Sequence, residues 1–194
     1  MLVVKKGFNM RIISGKARGT KLFTLKGENT RPTLDRVKES LFNIIQNRIQ
    51  DSIFLDLFSG SGAIGLEALS RGAKKAILCD KSKEACEIIR KNIEKTHFEN
   101  EAIIFNTDFR NLIQNKINEK IDIVFLDPPY ETNFAIEAIK LILEQECLNE
   151  DSIIIIETDD KQRIIEKINN INCEIEDIRK YGRAYLIFLK KYRT

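Results

Sequence analysis

From residue 53 onward the chain alternates short apolar runs with stretches of helical period. That alternation restricts the fold more than any other feature. Ile53–Leu57, Lys75–Asp80, Glu101–Phe105, Ile121–Leu126 and Ser152–Glu157 read as buried strands. Between and after them, 63–71, 83–96, 109–116, 132–146 and 160–169 read as helices. Residues 172–180 and 183–190 add two strands around Gly182. A strand that returns through a helix lies parallel to its predecessor, and the helices cover both sheet faces. The expected fold is therefore α/β, a seven-stranded and mostly parallel sheet with helices on both faces. Such sheets take ligands in the crevice at the carboxyl ends of their strands. The residues just after each strand are where chemistry is expected.

The first fifty residues read differently. Met10–Ser14 and Thr20–Thr24 form a β-hairpin around the turn Gly15-Lys-Ala-Arg-Gly19. Arg31-Pro32-Thr33 opens a helix, with Thr33 as its N-cap. Leu34, Val37, Leu41, Ile44 and Ile45 fall on one apolar stripe, and Arg36 and Lys38 lie off it. This segment holds eleven Lys and Arg against three acids, whereas the remainder holds 21 against 26. A basic extension over 1–50 ahead of a mildly acidic domain over 51–194 suggests a polyanion binder. Phosphate contacts made by such an extension gain affinity by releasing counterions. The bland reading, a solvated basic surface, stays open on charge alone.

Composition removes several classes of chemistry. At 194 residues with 43% hydrophobic content, one domain can bury a sizeable core without a metal or disulfide. No apolar run approaches the roughly 18 residues of a membrane span. The first nine residues lack the apolar stretch and cleavage site of a secretory signal, so a cytoplasmic location is expected. Cys79, Cys86, Cys147 and Cys173 contain no C-x-x-C pair, and His97 is the single histidine. No metal site is expected, and the cysteines read as apolar fillers. His97 ends a helix, where it reads as a dipole partner rather than a catalyst.

Two strand ends carry distinctive residues. The first leads into Asp56-Leu-Phe-Ser-Gly60-Ser-Gly62-Ala-Ile-Gly65, a G-x-G-x-x-G between strand and helix. The second ends at Asp80, twenty residues past Gly60, where a carboxylate can accept from ribose hydroxyls. Together they predict an adenosine-containing cofactor. Asp56 would repel a pyrophosphate but suits the cationic methionine end of S-adenosylmethionine.

The fourth strand ends Asp127-Pro128-Pro129-Tyr130. An exocyclic amine on a nucleobase is a poor nucleophile, because its lone pair is delocalised into the ring. The Asp127 carboxylate and the Pro128 carbonyl can accept from its two N–H bonds and favour a pyramidal nitrogen. The two prolines fix the backbone and offer no competing donor. Tyr130 offers a face on which an extruded base can stack.

With these motifs, Met10-Arg-Ile-Ile-Ser-Gly and Arg31-Pro-Thr-x-Asp-Arg-Val-Lys-Glu-Ser-Leu-Phe-Asn43, the chain resembles the RsmD family from Met10 to its end. That family comprises bacterial 16S rRNA guanine-N2 methyltransferases acting at guanine 966 and commonly opens Met-Arg-Ile, which makes Met10 a candidate start. The resemblance implies a Rossmann-like methyltransferase fold and S-adenosylmethionine as cofactor. It implies cofactor contacts at Asp56, Phe58, Gly60, Gly62, Asp80, Lys81, Asp108 and Asp127. Asp108 has an equally good reading as a helix N-cap. Catalysis would fall to Asp127, Pro128, Pro129 and Tyr130. RNA contacts would fall to Arg11, Lys16, Arg18, Lys21, Arg31, Arg36, Lys38 and Tyr130. For Arg31 and Arg36, pairing with Asp35 or Glu39 is the competing reading. The implied partner is 16S rRNA in an assembling 30S particle, met by a monomer.

The residues alone leave three rivals. A DNA adenine-N6 methyltransferase would use the same Asp-Pro-Pro-Tyr chemistry. An NAD-dependent enzyme would explain only the glycines, and an RNA chaperone only the basic extension.

Overall fold

The computed structural model describes residues 10–25, 32–129 and 132–192. The expected roles of Arg31 and Tyr130 lie outside the described residues. The chain opens with a small antiparallel pair, β1 (Met10–Arg11) and β2 (Lys21–Leu22), then α1 (Pro32–Ile44) and α2 (Gln46–Ile49). Seven strands follow: β3 (Ile53–Asp56), β4 (Lys75–Asp80), β5 (Ala102–Asn106), β6 (Ile121–Leu126), β7 (Leu148–Thr158), β8 (Cys173–Tyr181) and β9 (Ala184–Lys191). They form one sheet in the order β5-β4-β3-β6-β7-β9-β8. The first five in that order run parallel, and β9 is antiparallel to both its neighbours. The α/β expectation holds. The connecting helices are α3 (Ala63–Ser70), α4 (Lys83–Thr96), α5 (Phe109–Asn115), α6 (Phe134–Glu144) and α7 (Lys161–Ile168).

Successive strand residues alternate between two cores, as the period of a strand requires. Leu55, Ile77, Val124, Ile154 and Ile187 pack with α5, α6 and α7. Phe54, Leu78, Ile123, Ile155 and Phe188 pack with α1, α3 and α4. Both faces are covered, which is why these strands read as nearly unbroken apolar runs. The second core also takes Ile12 and Leu22, both fully buried, from the N-terminal pair. No helix among the described residues is long and apolar enough to cross a membrane.

The hairpin is shorter than expected because its backbone donors go elsewhere. Ile13 N–H and Ser14 N–H donate to the Glu67 carboxylate at 2.8 and 3.0 Å. Phe23 N–H donates to the Asn92 side chain at 2.7 Å. Asn92, itself fully buried, returns bonds to the Phe23 and Ser61 carbonyls at 2.9 and 2.8 Å. The ladder stops where helix side chains satisfy the strand instead. The expected turn is present and packed hard against the end of α3. Lys16 N–H donates to the Ser70 carbonyl, and a Cβ on Gly15, at φ +83°, would fall 1.7 Å from that oxygen.

Two details of α1 correct the sequence reading. Pro32, not Thr33, takes the helix's first position, where a fixed φ and a missing N–H cost nothing. Ile44 is 40% exposed, because the helix ends there and Ile45 turns into the core in its place.

Candidate active site

Sheet order reverses at β3, which pairs with β4 on one side and β6 on the other. A crevice opens at such a switch point. Here it is a cavity of about 370 Å³ at the carboxyl ends of these strands. Of the expected site residues, Asp56, Phe58, Gly60, Asp80, Lys81, Asp108, Asp127, Pro128 and Pro129 all line it. Residues far apart in the chain thus meet at one site.

The turn after β3 is pinned from β4. Gly60 N–H donates to the Asp80 carboxylate at 3.0 Å, and Ser82 N–H donates to its other oxygen at 2.8 Å. Ser59 and Cys79 exchange two further bonds of 3.0 Å. A carboxylate has about four acceptor positions. Asp80 therefore fixes the turn and keeps capacity for ribose hydroxyls. Gly62 is not on the cavity wall. It starts α3 with φ +78°, and a Cβ there would press on Ile89 at 3.3 Å. Its work is the turn itself.

Asp56 is the most telling group. It is 1% exposed, and neither carboxylate oxygen has a hydrogen-bond partner among the described residues. Burial, reinforced by the negative charge of Asp80, pushes its carboxyl up to about 7, against the pull of the Gly65 and Phe58 amides and the Ser59 hydroxyl nearby. A buried acid left this way, on a cavity wall, is matched to a cation. The ammonium of a bound methionine moiety fits, and a pyrophosphate does not.

The N-cap reading of Asp108 holds, and the residue also faces the cavity. Its side chain caps α5, accepting from Arg110 N–H at 2.9 Å, and it remains on the cavity wall. Arg110 pairs with Asp108 and with Glu137 of α6, and its guanidinium lies over the rings of Phe109 and Phe134 at 4.4 and 5.0 Å. Phe58, Phe109 and Phe134 form an aromatic cluster with centroids 5.3 to 6.4 Å apart. All three line the cavity, as does Met10. Sequence reasoning passed over Phe109, Phe134 and Met10. The signal for the two rings was a phenylalanine at the first position of α5 and of α6, the helices that follow β5 and β6. The cluster gives the flat apolar wall a purine needs.

The basic residues divide. Arg11, Lys16, Arg18, Lys21 and Arg36 are exposed. Arg11 reaches Asp35 at 3.7 Å. Lys38 is corrected: it is 5% exposed, donates to the Arg11 carbonyl and lies 3.4 Å from the fully buried Glu67. Burial lowers its pKa, opposed chiefly by Glu67. An ammonium engaged inside the protein is not presented to RNA. His97 caps the far end of α4 at φ +60°, away from the strand ends.

The family model described as Conserved hypothetical protein 95 matches residues 10–190. Ribosomal RNA small subunit methyltransferase D of Haemophilus influenzae is 40% identical over 162 residues, covering 82% of this chain and 84% of that protein. The protein of the same name from Escherichia coli is 36% identical over 150 residues, covering 77% and 75%. Among solved structures, the candidate methyltransferase yhhF of Escherichia coli superposes with a TM-score of 0.78 at 29% identity, covering 95% of this chain and 99% of that one. A match over nearly the whole chain, with relatives 36% and 40% identical over the residues they align, places the chain in the RsmD family of S-adenosylmethionine-dependent methyltransferases.

Proposed function

We propose that the chain methylates the N2 amine of one guanine in small-subunit ribosomal RNA, the residue equivalent to guanine 966. The relatives named ribosomal RNA small subunit methyltransferase D support the RNA class. The amine reading rests on one observation: Asp127 and Pro128 line the same cavity as the orphaned Asp56 and the ribose-ready Asp80. An acceptor pair for an amine and a seat for the methyl donor therefore share one wall.

Asp56 would hold the methionine ammonium, Asp80 the ribose, and the Phe58–Phe109–Phe134 cluster the adenine. When bound, S-adenosylmethionine supplies a methyl group already activated on a sulfonium, so the protein's task is positioning and charge stabilisation. The Asp127 carboxylate and the Pro128 carbonyl hold the amine by its two N–H bonds. Asp127 then stabilises the positive charge that develops on nitrogen and takes the surplus proton, directly or through water. The exposed cations Arg11, Lys16, Arg18, Lys21 and Arg36 take phosphates of the RNA, which an assembling 30S particle presents with the target base splayed out.

The test is mass mapping of small-subunit rRNA from a strain lacking the protein. One N2-methylguanine should disappear and return on complementation. Loss of an N6-methyladenine instead would overturn the guanine reading. Asp127→Ala should lower the chemical rate by at least about a hundredfold, the scale of removing a group that stabilises transition-state charge. Its affinity for S-adenosylhomocysteine should persist. Near-wild-type turnover would remove Asp127 from the mechanism.

A further inference from the structure

The loop after β6 also borders a second cavity. Pro128 and Pro129 wall it, with the end of β7 and α7, and its volume is about 230 Å³. Its polar lining is strongly acidic. Glu157, Asp159 and Asp160 all line it. Asp160 is engaged, capping α7 through Arg163 N–H at 3.1 Å. Glu157 is the penultimate residue of β7, on the strand that pairs with the one leading to Asp127, and burial pushes its carboxyl up to about 7. Arg163 also lines the cavity. Its Nη2 is anchored on the Thr132 carbonyl, but its buried Nε has no hydrogen-bond partner among the described residues. A carboxylate in this place repels a phosphate backbone and is useful only to a donor. An orphaned guanidinium N–H is useful only to an acceptor.

We propose that this cavity reads the Watson–Crick edge of the target guanine, with Glu157 and Arg163 as specificity-determining residues. The inference rests on the guanine-N2 reading above. The edge of guanine presents N2–H, N1–H and the O6 acceptor in a row. Asp127 and Pro128 take the N2 amine, Glu157 accepts from N1–H, and Arg163 donates to O6. Adenine and cytosine place a lone pair beside their amine, which an ionised Glu157 repels. Uracil has the ring N–H but no amine to methylate. Only guanine satisfies both cavity groups and the acceptor pair together. A site whose buried polar groups pair with one base rejects bases that leave them unpaired.

The substitution Glu157→Gln tests this through a base analogue. 2-Aminopurine carries the same amine as guanine but has a lone pair at N1 and no O6. Small-subunit particles are reconstituted on rRNA with guanine or 2-aminopurine at the position the wild-type protein methylates. At pH 8.5, where Glu157 is ionised, wild type should prefer guanine by at least about tenfold in kcat/KM. The side-chain amide that Glu157→Gln introduces can donate to the N1 lone pair. The variant's preference should therefore shrink by about tenfold or more, with affinity for S-adenosylhomocysteine within about twofold of wild type. Arg163→Met should lose rate on guanine and little on 2-aminopurine, which has no O6 to lose. An unchanged base preference in Glu157→Gln overturns the proposal, as does an equal loss on both bases. Product analysis separates the two readings. N2-methylguanine with an unchanged preference sinks only this inference, whereas N6-methyladenine from the wild type sinks both.

Discussion

Replacing Asp56 by Asn should flatten a pH dependence of cofactor affinity that the buried acid creates. In the free protein the Asp56 carboxyl titrates near 7, because burial and the nearby Asp80 charge penalise its ionised form. A bound methionine ammonium needs that form. Apparent affinity then scales with the ionised fraction, roughly one tenth at pH 6 and three quarters at pH 7.5. Affinity for S-adenosylhomocysteine should therefore tighten about eightfold over that interval, roughly 1.3 kcal/mol. Binding at pH 6 should expel about 0.9 proton per ligand, read by calorimetry in buffers of different ionisation enthalpy. The sign for folding is opposite. The unfolded carboxyl loses its proton near 3.8 and the folded one near 7, so the ligand-free native state holds the extra proton between them. Stability contributed by this site should fall as pH rises through that window, and bound ligand should remove the slope. His97 does not confuse the measurement, because it sits at the far end of α4. Glu157→Gln controls for the other raised acid and should leave the profile in place. A flat wild-type profile with no proton release would refute the assignment of Asp56 to the ammonium.

The remaining expectations concern the N-terminal segment. Reversing the exposed Lys16, Arg18 and Lys21 to Glu should weaken RNA binding and lower the salt slope by roughly one unit per lost phosphate contact. Cofactor affinity should not move, since none of the three lines the cavity; an unchanged salt slope would reduce them to a solvated surface. Glu67→Ala leaves the buried Lys38 ammonium and the Ile13 and Ser14 amides without their acceptor. It should cost about 3–5 kcal/mol in urea unfolding, the scale of breaking a buried ion pair, and a loss under about 1 kcal/mol would show the network to be dispensable.

Those expectations separate what local pattern encodes from what it does not. The seven-stranded sheet was legible because each strand must alternate between two cores, and that demand leaves apolar runs in every segment concerned. The cavity was legible because an open parallel sheet puts its strand ends together, so motifs after β3, β4 and β6 had to converge. The fate of Lys38 was not. Helical spacing placed it off the apolar stripe of α1, which is true, but its partner Glu67 lies on α3, 29 residues further on. A charge pair between separate helices leaves no trace in the period of either.

Glu157 marks a different kind of blindness. It stands at a strand end, where an open parallel sheet gathers its chemistry, yet Glu157-Thr-Asp-Asp160 matches no motif and was read only as the close of the fifth strand. Asp127 announces itself because two prolines follow it. Glu157 acquires meaning only from its neighbours in space: those same prolines, and an arginine on α7 with a donor left unpaired among the described residues. The first cavity, if it is to hold a cofactor common to many enzymes as proposed, needs a rigid, recurrent turn, and rigidity of that kind leaves a readable string of glycines and prolines. The second, as proposed, needs only one acceptor and one donor beside the loop that would hold the amine. Such a requirement can be met by residues far apart in sequence, so the part of the site that would choose the base is the part the sequence declares least.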